Sequence, residues 1–127
     1  MSETNSQRQN DLLSASASKL AADASLYPLL TREEEDELMR RIHGGGTPGE
    51  EARELLVRSN LRYVVAVAKR YKVADDVLTS LIDAGVIGMN KAIDHYDETQ
   101  SYRFISYAIW WIRQSVLQYA TRNLPSK

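Results

Sequence analysis

The sequence lacks cysteine and has only two histidines among its 127 residues. Without cysteine it forms neither a disulfide framework nor a thiolate metal site, and the isolated His43 and His95 make a poor ligand set. We therefore expect no metal and no cofactor. An apolar run of the roughly 18 residues that span a membrane is also missing, and the polar start MSETNSQRQN has no signal-peptide pattern. We expect a cytoplasmic protein with no membrane partner.

The residue groups of an enzyme site are missing as well. No carboxylate pair or nucleophile beside a base stands out in the sequence. The glycine-rich GGGTPGE at residues 44–50 lacks the Lys-Ser/Thr of a phosphate-binding loop. We therefore expect a protein without a catalytic role.

The formal net charge of -1 hides a segregation of charge along the chain. Acidic residues cluster in REEEDE and GEEARE, whereas none occurs between Leu55 and Ala74 and none follows Glu98. Both acid-free stretches carry several Lys and Arg, so one face of the molecule could bind nucleic acid while another binds protein.

The pattern of apolar residues predicts an all-α fold, a compact helical bundle of about four main helices. Residues 1–28, rich in Ser, Ala, Asn and Gln, are expected to form a flexible N-terminal tail with at most a weak helix around LLSASASKLAA. Residues 29–127 are expected to form the helical domain.

Start and stop signals place the four helices. A capping box at TREE (31–34) predicts a helix over Arg32–His43, and TPGE (47–50) a second capping box with Pro48 in the first turn. One helix should cover Glu50–Tyr71. A third should follow an Asp75-Asp76 cap, where Gly85 and Gly88 suggest close helix contact or a break. A fourth should run from about Arg103 to Arg122.

The fourth helix carries more aromatic residues than a core stripe needs. On a helical wheel the buried stripe consists of Ile105, Ala108, Ile109, Ile112, Val116 and Tyr119. Tyr107, Trp110, Gln114 and Leu117 fall on another face, and the adjacent Trp110 and Trp111 cannot both point the same way. The wheel leaves three interpretations open: buried indoles, a protein interface, or a surface that stacks on unpaired bases beside arginines.

The segment YRFISYAIWWIRQS from Tyr102 resembles the part of sigma-70 family factors that recognises and melts the minus-ten promoter element. Upstream, NLR and YVVAVAKRY (60–71), LIDAGVIGMNKAIDHYD (81–97) and LLTREEEDELMRRIHGGG (29–46) resemble further parts of the family, regions 1.2 to 2.4. The housekeeping class is the better match, and SLYPLLTREEE is also similar to heat-shock-type factors.

The resemblance implies a set of DNA-binding residues. Tyr107 would stack on a flipped adenine of the non-template strand, in a pocket with Tyr102, Phe104 and Ser106, and Trp110 and Trp111 would form a wedge at the upstream edge of the bubble. Gln114 would read the last double-stranded pair. The remaining implied DNA contacts are Asn60, Tyr63 and Arg103 at a second flipped-base pocket, together with Arg62, Leu117 and Gln118.

The same resemblance implies that the third helix binds core RNA polymerase, at the clamp helices of its largest subunit. The expected contacts are Ser80, Asp83, Ala84, Val86 and Asn90. Here the sequence departs from the DLIQEG-like pattern of the family, which indicates either drift or an altered partner. The family's arginines before Tyr102 are replaced by Thr99, Gln100 and Ser101, which puts some phosphate or base contacts in doubt. Leu117 and Gln118 stand where many housekeeping factors have Thr and Arg, so the preferred upstream sequence should differ.

Two functions from different classes remain open at this point. The first is a transcription initiation factor domain that binds core polymerase and melts the minus-ten element of promoter DNA, with an anti-sigma factor as a further possible partner. The second is a sigma-like protein-interaction module that occupies or regulates polymerase without melting promoters. Sequence-indifferent single-strand binding is a weaker third. No residues after Lys127 correspond to later sigma domains, so promoter location is expected to depend on polymerase and the minus-ten contacts.

Overall fold

The computed structural model describes residues 17–125, which contain six α-helices and no strand. The all-α class is confirmed, although the described residues hold six helices rather than about four. The helices are α1 (Ala17–Leu26), α2 (Arg32–Gly44), α3 (Gly46–Ser59), α4 (Leu61–Lys69), α5 (Asp75–His95) and α6 (Phe104–Asn123). No helix in this described range is long and apolar enough to cross a membrane.

Helix α1 overlaps the weak helix that was expected around LLSASASKLAA within the N-terminal tail. Residues 1–16 of that tail lie outside the described residues, but from Ala17 the chain is helical. Leu20 and Ala24, one turn apart on the same face, are 1% and 2% exposed. This face packs against α4 and α5. Two buried residues therefore join α1 to the core.

The capping box that begins α2 is present as predicted. The Thr31 hydroxyl accepts a hydrogen bond from the Glu34 amide (3.1 Å), and the Thr31 amide donates to the Glu34 carboxylate (2.8 Å). These two bonds satisfy two amides that the first turn leaves without helical partners.

The prediction of a second capping box at Thr47 is wrong. Helix α3 already begins at Gly46, and its N-cap, Gly45, makes no side-chain hydrogen bond. Gly45 and Gly46 both have positive φ, 76° and 69°. Only glycine adopts this conformation readily, so the chain turns from one helix into the next without a polar cap. Pro48 does lie in the first turn of α3, as predicted.

The single helix expected over Glu50–Tyr71 is divided at Asn60. Its φ and ψ of -111° and 5° leave the helical region, and its side-chain amide donates to the Leu56 carbonyl (2.9 Å). That bond replaces a main-chain partner at the end of α3, so α4 leaves in a new direction without a glycine or proline to mark the break.

Helix α5 is central and packs against α1, α3, α4 and α6. It begins after Ala74, with Asp75 and Asp76 in its first turn rather than as side-chain caps. Gly85 and Gly88 mark close contact, not a break. A Cβ on Gly85 would lie 2.5 Å from Val64 Cγ1, and one on Gly88 would lie 2.5 Å from the Trp111 carbonyl oxygen. The backbones of α5 and α6 therefore approach each other directly.

Helix α6 covers the range that the sequence predicted. Its buried stripe includes Ala108, Ile112 and Val116, each fully buried, whereas Ile105, Ile109 and Tyr119 are half-buried. The stripe also includes Phe104 and Ala120. Because this stripe fills the core, the aromatic residues on other faces of α6 are left for the surface.

Candidate nucleic-acid interface

A shallow cleft lies along the first half of α6 and the residues before it. We call it the aromatic cleft; its volume is about 340 Å³, and it is lined by Tyr102, Ser106, Tyr107, Trp110 and Trp111. All five were expected DNA-binding residues, and the structure places them together.

The aromatic cleft presents open ring surface to solvent. Trp110 is 58% exposed and Tyr102 is 41% exposed, while Tyr107 and Trp111 are half-buried. The helical wheel left open whether the two Trp side chains are buried, and the structure exposes Trp110. The Trp110 ring stands almost perpendicular to the Trp111 ring, at 89° and 5.5 Å between centroids. The Trp110 ring is thus held by its perpendicular contact with Trp111, while much of the Trp110 ring stays exposed to solvent.

The Tyr107 ring lies between three others. It is stacked with Tyr102 (22°, 6.1 Å between centroids) and tilted against Tyr96 (5.6 Å) and Trp111 (6.3 Å). Such contacts fix a side chain in one rotamer, so the Tyr107 ring is positioned before any ligand arrives.

Tyr96, just after α5, supports the cleft from behind and was missed by the sequence analysis. It is 4% exposed, and its hydroxyl donates to the Tyr102 carbonyl (2.7 Å). Burial raises the pKa of the Tyr96 hydroxyl, which keeps it a donor. What the sequence offered was a tyrosine in the segment HYD (95–97), shortly before the aromatic residues that start at Tyr102.

Phe104 corrects the expected pocket. It was expected to line the pocket of the flipped base, but it is 0% exposed and its ring packs edge-on against Tyr96 (5.4 Å). As the first residue of α6 on the buried stripe, Phe104 belongs to the core. It supports Tyr96 and is not among the residues that line the aromatic cleft.

The segment that carries Tyr102 is fastened to α2. Arg32 donates to the carbonyls of Gln100 and Ser101, and Arg103 donates to the Glu35 carboxylate (2.7 Å) and the Leu30 carbonyl (2.9 Å). The hydrogen bond with Glu35 raises the pKa of the Arg103 guanidinium.

Arg103 was expected at the second flipped-base pocket, but the structure gives it this internal role. Its partner Glu35 is 4% exposed. A carboxylate buried to that degree needs a hydrogen-bonded cation beside it, and Arg103 supplies one.

The other residues expected at the second pocket are also engaged within the domain. Asn60 is 7% exposed, with its amide bonded to the Leu56 carbonyl, and Arg62 donates to the Tyr27 carbonyl. Tyr63 is half-buried. The structure does not present Asn60, Arg62 and Arg103 as free side chains, because each satisfies a backbone carbonyl or a buried carboxylate.

A second cleft, of about 260 Å³, lies between the end of α4 and the middle of α6. We call it the arginine cleft; it is lined by Val67, Arg70, Tyr71, Arg113, Gln114 and Leu117. The expected DNA-binding residues Gln114 and Leu117 lie here, not in the aromatic cleft, and Gln118 is exposed beyond them. Arg70, Tyr71 and Arg113 were missed as site residues. The sequence did indicate them indirectly, because all three lie in the two acid-free stretches that could bind nucleic acid.

The residues expected to bind polymerase divide into two groups on α5. Ser80, Asp83 and Asn90 are half-buried and reach the surface, whereas Ala84 and Val86 are only 6% and 5% exposed. Ala84 and Val86 are thus largely covered in the free domain, and their contact with polymerase stays a prediction.

The exposed side of α5 has two further features. Ile87 is 55% exposed and was missed, although it follows Asp83 by one helical turn. Within the described residues, Oδ1 of Asp83 is buried without a hydrogen-bond partner, and burial raises the pKa of this carboxyl to about 6. The exposed side chain of Ile87 suits a protein partner that supplies an apolar contact.

The described residues contain no group of three or more His, Cys, Asp or Glu side chains that could hold a metal ion. The side chains that line the two clefts supply aromatic rings, one amide and guanidinium groups, which suit contacts with bases and phosphates.

Comparison with known proteins identifies a match over this same part of the chain. The family model described as Sigma-70 region 2 matches residues 56–124. The chain is 42% identical over 90 residues to the RNA polymerase sigma factor SigA of Lactococcus lactis subsp. cremoris, which covers 71% of this chain and 25% of that protein. It is also 42% identical over 89 residues to the SigA proteins of a Bacillus species and of Clostridium acetobutylicum, in each case over 70% of this chain and 23% of the relative. The chain thus spans about a quarter of the length of these curated relatives.

Proposed function

Because the chain belongs to the sigma-70 family, with its helical domain matching region 2, we propose that it acts in transcription initiation by binding core RNA polymerase and opening promoter DNA at the minus-ten element. It does so by capturing flipped bases of the non-template strand. Its role is binding rather than catalysis.

The observation that carries this proposal is the exposed face of Trp110 in the aromatic cleft. An indole that is 58% exposed beside Tyr102, itself 41% exposed, is costly for a soluble domain unless a ligand covers it. The acid-free composition of α6 favours a polyanionic ligand, and an unpaired base offers the flat π-surface that these rings accept.

The energetics of capture are favourable on this geometry. Taking a base out of the stack costs a few kcal/mol, and each aromatic stack returns roughly 1–3 kcal/mol. Tyr107 receives one flipped base, since its ring is already held by Tyr102 and Tyr96. Trp110, braced edge-on by Trp111, covers the last base pair that remains closed.

The arginine cleft continues this surface on the double-stranded side. Gln114 lies one turn of α6 beyond Trp110 and offers an amide, a donor and acceptor pair suited to a base edge. Arg113 beside it neutralises phosphate.

The partner that positions this surface is core polymerase, bound through the exposed side of α5. Ile87 provides the apolar centre of that contact, and Ser80, Asp83 and Asn90 surround it.

The proposal is tested with the protein bound to core polymerase and fluorescently labelled minus-ten single strands. Replacing Trp110 with Ala should weaken binding by roughly tenfold, the loss of about one aromatic stack. Trp110→Phe should keep much of the affinity. Leu55→Ala is the matched control, since Leu55 is 41% exposed on α3, outside both clefts.

Equal binding of a scrambled strand, or an unchanged affinity of Trp110→Ala for the minus-ten strand, would contradict the proposed role in promoter opening. If polymerase binding persisted in that case, the protein would instead be an interaction module for polymerase.

A further inference from the structure

Seven large apolar side chains are exposed among the described residues, and the proposed function accounts for four of them. Those four lie in the two clefts and on α5, namely Tyr102, Trp110, Leu117 and Ile87. The other three are Leu26, Leu29 and Leu55, with exposed fractions of 77%, 64% and 41%. A single exposed leucine needs no explanation, but a group of them indicates a contact surface. We therefore asked whether these three belong to one surface.

A third cleft connects them. Its volume is about 450 Å³, larger than that of the other two, and it is lined by Tyr27, Glu51, Glu54, Leu55 and Arg58. We call it the leucine cleft. Leu26 is the last residue of α1, and Tyr27 follows it directly, with Leu29 two residues further on. Leu26 and Leu29 therefore extend the edge that Tyr27 forms, while α3 supplies the remaining lining residues.

The edge at Tyr27 is held in place by two arginines. Arg62 donates a hydrogen bond to the Tyr27 carbonyl, and the Arg58 guanidinium lies over the Tyr27 ring, 6.0 Å from its centroid. Arg58 also donates to the Glu54 carboxylate (3.1 Å). These contacts fix Tyr27 against α3 and α4 before any partner arrives, so the surface is pre-organised.

The charge of the leucine cleft favours a cationic partner. Glu54 neutralises Arg58, whereas Glu51 is exposed and forms no ion pair with another described residue. Glu50, next to it on α3, is also exposed. A phosphate backbone would be repelled here, in contrast to the acid-free stretches of α4 and α6. The ligand therefore combines apolar side chains with Lys or Arg, a combination that a protein segment offers.

The lining residues of α3 share one face of that helix. Glu51, Leu55 and Arg58 follow one another at intervals of four and three residues, the spacing of a single helical face. A second helix that packs along such a face presents its own apolar side chains at the same intervals, with basic residues beside them.

We propose that the leucine cleft binds a basic amphipathic helix of a protein partner distinct from core polymerase. Apolar residues of that helix cover Leu55 and Tyr27, and a Lys or Arg pairs with Glu51. Core polymerase is a different partner, because the surface proposed for it is centred on Ile87 of α5. The inference goes beyond promoter opening and does not depend on it, since it uses neither the aromatic cleft nor the arginine cleft. The protein thereby receives an accessory protein while it holds polymerase and DNA.

The test uses the full chain and a fluorescently labelled peptide. The peptide has about 18 residues, long enough to form a helix, with Leu on one face and Lys on the other. One reference peptide has Glu in place of every Lys, and a second has the same residues in scrambled order. Fluorescence anisotropy should show that the Leu-Lys peptide binds about tenfold more tightly than either reference. Added salt should weaken this binding, because part of it is electrostatic.

Variants of the leucine cleft assign the binding to this surface. Glu51→Lys should weaken binding about fivefold, because an attraction becomes a repulsion. Glu33→Lys, the same change in charge at an exposed residue of α2, should have little effect. Leu55→Ala should weaken binding about tenfold, whereas Leu117→Ala, which alters a leucine of similar exposure on α6, should bind the peptide like the parent protein. Circular dichroism verifies that each variant keeps its helices.

The outcomes distinguish the possible occupants. Weaker binding by Glu51→Lys and Leu55→Ala, with the peptide still bound after core polymerase is added, supports the proposal. Equal binding of the three peptides, or an unchanged affinity in either variant, overturns it. Displacement of the peptide by core polymerase would assign the leucine cleft to polymerase, and self-association that Leu55→Ala abolishes, measured by sedimentation velocity, would assign it to a second copy of the chain; either result overturns the proposed partner. None of these measurements involves promoter DNA, so the proposed function stands or fails on its own test.

Discussion

The hydrogen-bonded ion pair between Glu35 and Arg103 should be energetically coupled, and a double-mutant cycle measures that coupling. Residues 35 and 103 are 68 positions apart, and their contact (2.7 Å) joins α2 to the start of α6. Replacing Arg103 with Met keeps most of the aliphatic length and removes the cation. Replacing Glu35 with Gln keeps the shape and removes the charge.

The magnitude follows from the burial of the two partners. Glu35 is almost completely buried, with 5% of its side chain exposed, whereas 43% of the Arg103 side chain is exposed. Removing one partner of a fully buried pair costs about 3–5 kcal/mol, and an exposed pair contributes about 0–1 kcal/mol. For this mixed pair we expect Arg103→Met to lower the free energy of unfolding by about 2 kcal/mol, part of it from the lost bond to the Leu30 carbonyl.

Urea unfolding followed by circular dichroism gives the free energies of the parent, both single variants and the double variant. We expect Glu35→Gln to cost about 1 kcal/mol and the double variant to be more stable than the sum of the two losses predicts, by about 1 kcal/mol. The control is Arg40→Met, which removes the partner of Glu37 on the same helix, where both side chains are exposed. That change should have no measurable effect. Strict additivity of Glu35→Gln and Arg103→Met would refute the assignment of Arg103 as the internal partner of Glu35.

Three further predictions follow from the structure and use the same unfolding assay. Gly88→Ala should destabilise the domain by about 2 kcal/mol, because the new Cβ meets the Trp111 carbonyl and the clash exceeds the gain in helix propensity; Gly44→Ala, with nothing within 4 Å of the new Cβ, should be neutral. Burial raises the pKa of Asp83 from 3.8 to about 6, so the folded state retains a proton that the unfolded chain has lost, and stability falls as pH rises through that interval. Asp83→Asn should therefore add about 1 kcal/mol at pH 7, after allowance for its solvent exposure, and nothing below about pH 4; a gain that is the same at both pH values would contradict the burial argument. Thr31→Ala should cost about 1 kcal/mol and Thr31→Ser much less, since Ser keeps the capping hydroxyl; equal losses would show that the cap is not the cause.

Local rules predicted those parts of the fold that depend on neighbours in sequence. The capping box at Thr31 and the course of α6 follow from residues three and four apart, and both are present. Helix α1 could be predicted only as a weak helix around LLSASASKLAA, and its packing could not be predicted in this way. Its link to the core rests on Leu20 and Ala24, and two residues are too few to give a periodic signal before the helices they contact are known.

The candidate site was predictable to a similar extent. Spacing on α6 placed Tyr107 and Trp110 on a face away from the buried stripe, but it left open whether the indoles are buried or exposed. The role of Arg103 was not predictable, since its partner Glu35 lies on a different helix far away in sequence. The burial of Ala84 and Val86 likewise depends on the four helices that surround α5, and a resemblance of α5 to a docking helix does not include that information.

The contact at Gly88 has a mechanical consequence. Because the backbone of α5 at Gly88 lies against the Trp111 carbonyl and the Ser115 side chain, with no room for a Cβ atom, α5 and α6 resist small sliding or rotation past one another. A force applied to the outer side of α5 therefore moves α5, α6 and the aromatic rings on α6 together as one rigid body. The angle at which those rings meet their ligand is therefore set by whatever holds α5.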